Sequence, residues 1–230
     1  MPYIRTQGDN HLERTAGLLK GRERMFSGNK LVLVLPVILM LFLFGSGMYY
    51  IGQSEVVTNE TLNQEISWDS VFNPSEDGSV LHGTWTWEAS PEDGVEGVDY
   101  LGITFLDEND KTVSPEMIDS YSLHLETRSE KISIDGEVVD NGVVFPFTTE
   151  MKENDVIGSK GEFKVVTQGD TQPERAIISY LHTWEEHDGL KTYDARFFER
   201  EFKGKEHKDE SFFWVAERFV DLKKGSLYSS

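Results

Sequence analysis

The hydrophobic pattern divides the chain into two parts. From Leu31 to Ile51 runs LVLVLPVILMLFLFGSGMYYI, 21 residues without one charge. From about Val80 the pattern changes to short alternating apolar runs broken by Gly, Asn and Asp. As a helix, the first stretch would rise roughly 31 Å, which matches the hydrocarbon thickness of a bilayer. It therefore predicts a transmembrane helix over Leu31–Ile51. Pro36 lies early in that span, where neighbouring turns and water absorb the lost hydrogen bond. Tyr49 and Tyr50 fall where aromatic rings settle at a membrane interface. The rival reading makes Leu31–Phe44 the apolar region of a signal peptide, cleaved near Gly45-Ser46-Gly47. The length of chain ahead of the run, and its uncharged continuation to Ile51, favour a retained anchor.

The second pattern predicts strands at Val80–Glu88, Tyr100–Asp107, Tyr121–Thr127, Lys131–Ile134, Val143–Thr149, Glu162–Gln168, Arg175–Glu186 and Lys191–Phe202. Even spacing with turn signals between them argues a single antiparallel β-sandwich or β-barrel-like domain over residues 80–230. Asp188-Gly189 suits a type I′ turn and predicts a hairpin in which Trp184 faces Tyr193, Tyr180 faces Phe197 and Glu186 faces Lys191. Asp135-Gly136 and Asn141-Gly142 lie too close together to flank a strand of useful length, so one of them reads as a loose loop. Ser211–Lys223 keeps both helical spacing and alternation, and the need for a neighbour beside the hairpin tips it to strand. Residues 52–79 are polar, with a turn cluster at Asn73–Gly78, and read as a tether on which Trp68, Val71 and Phe72 dock.

Charge sharpens the division. Residues 1–30 hold six Lys/Arg and three Asp/Glu, and the chain after Ile51 holds 16 and 38, so a net of +3 precedes the apolar run and −22 follows it. Lys20, Arg22, Arg24 and Lys30 close to the run place residues 1–30 in the cytoplasm as a basic leader, and the acidic domain outside. An acidic domain repels phosphate backbones, which argues against nucleic acid as a partner. The absence of cysteine excludes disulfides, thiolate metal sites and a cysteine nucleophile. An exported domain of this size must then be stable through its core alone, and a cysteine-free one suits a bacterial envelope.

Three groups of residues carry candidate chemistry. Asp107, Asn109 and Asp110 gather oxygen ligands in one turn, and calcium is the cofactor such a set suits; the ordered spacing of an EF-hand is missing, and a plain solvated turn is the commoner origin of such a run. In HTWEEH, His182 and His187 would point to opposite faces of a strand and could not jointly hold zinc. Tyr180, His182, Trp184, Tyr193 and Phe197 would form one aromatic face of the hairpin, a sugar or peptide groove if exposed and ordinary core if not. Asn59-Glu60-Thr61 fits a glycosylation acceptor pattern. No nucleophile elbow, phosphate loop or dinucleotide fingerprint is present.

Gly83-Thr84-Trp85 is similar to the G-x-W that opens the first strand of lipocalin-type barrels, and this resemblance keeps an up-and-down barrel as an alternative architecture. The expectation for function is a membrane-anchored, extracytoplasmic, non-catalytic binding or accessory module of the cell envelope. Its partners would be the lipid bilayer and another envelope protein or a cell-surface ligand. A carboxylate-dependent envelope hydrolase and a signal-relaying anchor are the alternatives.

Overall fold

The computed structural model describes residues 30–51, 56–169, 173–204 and 212–223. The chain divides into two compact units, 1–55 and 56–230. The basic leader expected over residues 1–30 lies outside the described residues up to position 29. In the first unit, helix α1 spans Lys30–Ile51 with Pro36 inside it. Its side chains are described from Val34 to Met48, and Phe44 among them is exposed. Those of Leu31, Tyr49 and Ile51 fall outside the described set. Among the described residues no helix is long and apolar enough to cross a membrane.

The second unit is a two-layer antiparallel β-sandwich. Its strands are β1 (Ile66–Ser75), β2 (Gly78–Trp87), β3 (Gly97–Leu106), β4 (Ile118–Glu126), β5 (Lys131–Ile134), β6 (Glu137–Val139), β7 (Gly142–Lys152), β8 (Asp155–Ile157), β9 (Lys160–Gln168), β10 (Arg175–Thr183) and β11 (Phe213–Asp221). One sheet has the order β1-β2-β9-β4-β5, and the other β11-β10-β3-β7-β6 with β8 paired to β7. Alternate side chains from both inner faces make the core. Phe72, Leu81, Trp85, Leu123 and Phe163 meet Leu101, Ile103, Phe105, Phe145, Ile178 and Tyr180 there. Two separate sheets replace the barrel alternative. Gly83-Thr84-Trp85 lies in the middle of β2, with the Trp85 indole donating to the Gly158 carbonyl at 3.0 Å.

Two sequence expectations are corrected here. Residues 66–75 are no tether: they form β1 and pair with β2 from Ile66↔Trp87 to Ser75↔Gly78. An edge strand with one face in water shows polar residues at every second place, and such an edge tolerates Pro74. The hairpin at Asp188-Gly189 is also absent. Tyr180 lies between Ala216 of β11 and Leu101 of β3, so both edges of β10 are occupied. The chain does reverse, but around residues 192–200, where Lys191 donates to Glu201 at 2.7 Å and Leu190 bridges Phe202. Residues 184–204 thereby form a strap. Ser211–Lys223 contains strand β11, as its alternation allowed, and Asp135-Gly136 and Asn141-Gly142 enclose the three-residue β6.

The strap covers the outer face of the second sheet. Leu190, Ala195, Phe197 and Phe202 pack there with Tyr100, Val144 and Leu181 as a second apolar cluster. Both faces of β3 and β10 are consequently dry, which explains why their sequences read as near-continuous apolar runs. Gly102 makes the close approach possible, because a Cβ there would stand 2.0 Å from the Ala195 carbonyl oxygen.

Candidate functional site

A dense set of titratable and polar side chains sits at one end of the core. Asp99 interrupts the apolar run of β3 at an inward position and is fully buried. Its carboxylate accepts from the Tyr180 hydroxyl at 2.7 Å, from His182 Nδ1 at 2.9 Å and from the Thr183 amide at 3.0 Å. Nε2 of His182 lies 2.9 Å from Oδ1 of Asn59, whose side-chain amide donates to the Gly94 carbonyl at 3.0 Å. Both ring nitrogens of His182 thus face oxygen acceptors. Trp87 meets the imidazole edge-on with centroids 5.4 Å apart, and Trp214 lies 5.1 Å from it. Burial first, and then the adjacent Asp99 carboxylate, push the Tyr180 hydroxyl well above its ordinary value, so it serves as a donor.

This arrangement resembles catalytic machinery in composition but not in access. His182 is 1% exposed and Asp99 0%. What it accomplishes is mechanical: Asn59, which precedes β1, is held by every polar group it has. Its amide N–H donates to Asp93 at 3.0 Å, and its carbonyl accepts from the Trp214 indole at 2.7 Å. The segment before β1 is therefore stitched to β3, β10 and β11 together. The Asn59-Glu60-Thr61 acceptor pattern has no room for a glycan in this fold, since Asn59 is 1% exposed.

The five aromatic and imidazole residues expected on one face are divided. Tyr180 and His182 point between the sheets. Tyr193 and Phe197 pack on the outer face against Tyr100, with centroids 6.1 and 6.2 Å away. Trp184 is half-buried against His182 at 5.6 Å. Tyr180, His182 and Phe197 are buried, so they form core and not an open groove. His187 is separate from His182, with its Nε2 3.1 Å from the Thr183 hydroxyl and its Nδ1 accepting from Gly189 at 3.0 Å.

The tip of the strap is built with more care than a connecting loop needs. The Asp194 carboxylate accepts from the amides of Arg196 and Phe198 at 2.9 Å each, and from the Asn141 side chain. Asn141 Oδ1 in turn accepts from the Ala195 amide at 2.9 Å. Burial raises the Asp194 carboxyl, but these donors outweigh it and hold it below its ordinary value. Phe197 adopts φ +57° with its ring buried, a conformation that costs a non-glycine residue of order 1 kcal/mol or more. Arg196 makes a two-point pair with Glu217 at 2.8 and 2.9 Å and lies 4.4 Å over the ring of Phe198. The outcome is a loop tied by its own hydrogen bonds that presents Phe198 at 63% exposure.

At the opposite region, Asp107, Asp110, Glu174, Arg175 and Asp221 line an open polar hollow of about 500 Å³. Asp107 Oδ1 caps its own turn, accepting from Asn109 at 2.8 Å and Lys111 at 2.9 Å, and the Lys111 amide chiefly lowers its carboxyl. Asp110, at φ +58°, pairs with Arg175 at 2.9 Å. Among the described residues no group of three or more His, Asp or Glu is placed to hold a metal ion. Sequence reasoning read Asn59 only as a glycosylation acceptor and Asn141 only as a turn residue, and it missed Asp99, Asp194 and the Arg196–Glu217 pair. Asp99 stands just ahead of the expected strand Tyr100–Asp107, and a carboxylate at an inward position of an apolar strand is its readable signal.

No protein family matches the sequence, and no curated protein does. Among solved structures the chain is similar to AvmM, which catalyzes macrocyclization in alchivemycin A biosynthesis, at 15% identity and TM-score 0.34, covering 71% of this chain and 93% of that one. It is similar to ACE19, the collagen-binding subdomain of the Enterococcus faecalis surface protein ACE, at 8% identity and TM-score 0.32, covering 67% and 94%. A DUF4466 family protein from Parabacteroides merdae matches at 12% identity and TM-score 0.29, covering 67% and 42%. These TM-scores are too low for an activity or a ligand to transfer.

Proposed function

We propose that this chain is a membrane-anchored binding or accessory module of the cell envelope, working through protein contacts and not through catalysis. The observation that carries the reading is Phe198. A large aromatic at 63% exposure stands on a loop pre-ordered by Asp194, Asn141 and the buried Phe197. Rigid exposed aromatics beside an arginine have the composition of binding hot spots, because little conformational entropy is lost when a partner covers them. The anchor is argued from the sequence, where Leu31–Ile51 runs 21 residues without a charge, a length that as a helix suits a bilayer. The charge step across it favours an N-terminus in the cytoplasm and the sandwich outside. Tethering would confine the search for a partner to one surface and raise its effective concentration there.

A photo-crosslinking residue at position 198, in the full chain within its own membrane, tests the reading. One discrete partner is expected from position 198, and none from Met151, which is 57% exposed. Equal capture from both positions overturns it. Alkaline extraction of the membranes tests the anchor, and release of the chain into the soluble fraction would contradict it.

A further inference from the structure

Strand β11 is the end strand of its sheet, nine residues long, with no proline or glycine, and its charges are Glu217, Arg218 and Asp221. Among the described residues nothing pairs with its second edge. Phe219 on its outer side is 59% exposed, and Arg218 beside it is exposed as well. We propose that this edge is an interface for a second copy of the chain, with two β11 strands joining antiparallel about a two-fold axis at Ala216.

The register follows from the strand's own sequence. In an antiparallel pair, facing side chains lie on the same side of the sheet, so a two-fold axis normal to the sheet must pass through one residue facing its own copy. With Glu217 or Arg218 on the axis, like charges meet at the centre. With Phe219 there, Glu217 faces Asp221. With Val215 there, the overlap shrinks to Phe213–Glu217. Ala216 on the axis avoids every like-charge contact and keeps the overlap from Phe213 to Phe219. It also places the exposed Phe219 opposite Phe213 of the second copy, and Arg218 opposite Trp214, each pair occurring twice by symmetry. Aromatic pairs are favourable cross-strand neighbours, and Val215 faces Glu217 between them. The smallest side chain of the strand occupies the crowded centre. Phe198 lies on the strap beside Arg196, which pairs with Glu217 of β11; the inference rests on strand β11 and is read at positions 216, 219 and 220, not at that residue.

The absence of cysteine makes the test direct. Facing Cα atoms in an antiparallel pair lie about 4.5–5.5 Å apart, within disulfide range. In the full chain, in mild detergent and under gentle oxidation, Ala216→Cys should give a covalent dimer, while Val220→Cys, which faces no strand residue of the second copy, should stay monomeric. Phe219→Asp removes two aromatic pairs and should weaken self-association by about tenfold, read by analytical ultracentrifugation with unchanged circular dichroism. A monomer at all concentrations overturns the proposal. So does a dimer that cross-links at position 220 as readily as at 216, or one that Phe219→Asp leaves intact, which would place the contact elsewhere, α1 included.

Discussion

The first sheet turns its outer face to water, and a row of polar and charged contacts crosses it: His82 to Glu162 at 2.9 Å, Glu162 to Lys131 at 2.6 Å, Lys131 to Glu126 at 3.6 Å, and Glu126 to Lys160. The second sheet carries Tyr100, Val144 and Leu181 on its outer face and hides them under the strap. Both sheets share the same inner core, so the difference lies in what each requires of its second face. Solvated ion pairs hold a face together loosely and tolerate exchange, whereas a dry face needs a fitted cover whose polar groups all find partners. The comparison predicts that the second sheet is brittle and the first forgiving.

The largest effect is expected at the buried network. Asp99→Ala would leave His182, the Tyr180 hydroxyl and the Thr183 amide without their common acceptor, at a cost of about 3–5 kcal/mol. Urea unfolding measures this, and a loss below about 1 kcal/mol would show that water reaches the site. Next comes the strap: Phe197→Ala should cost about 3 kcal/mol and open residues 192–200 to proteases. Limited proteolysis at the same sites in both proteins would break that link. Gly102→Ala should cost about 1–3 kcal/mol, because the added methyl meets the Ala195 carbonyl and the strap must lift; a melting temperature equal to the parent's would contradict the close approach.

The smallest effects belong to the charged face, where Lys131→Ala should cost little stability and respond to salt. Lys131, and after it His82, hold the Glu162 carboxyl down to about 2 from an ordinary 4.5. A carboxyl lowered by folding contributes stability that is fully present above about 4.5 and is lost as the pH falls toward about 2. The acid limb of the stability curve should therefore flatten in Lys131→Ala. An acid limb of unchanged slope in that variant would remove the pair from the account.

Local patterning made β2, β3, β4, β5, β7 and β9 legible, since each alternates or runs apolar within clear turn signals. Residues 66–75 were hidden because an edge strand with a wet face resembles a polar linker. The aromatic set from Tyr180 to Phe197 misled for a different reason. Its alternation is real, but alternation reports only which residues are dry, and a strap crossing a sheet dries the same positions that a hairpin would. The Asp188-Gly189 turn signal is satisfied by a loop with Gly189 at φ +93°, without strands pairing on either side.

By itself, then, the sequence determined the uncharged stretch at Leu31–Ile51, the charge step across it, and a β-rich domain with a large aromatic core. These follow from composition and short-range period, which the chain carries wherever it folds. Only the tertiary structure decided that β10 takes β3 and β11 as neighbours, that Asn59 reaches His182 across the domain, and that Phe198 faces outward while Phe197 turns in. Such choices depend on competition among distant segments for the same hydrogen-bonding edges and the same dry surface.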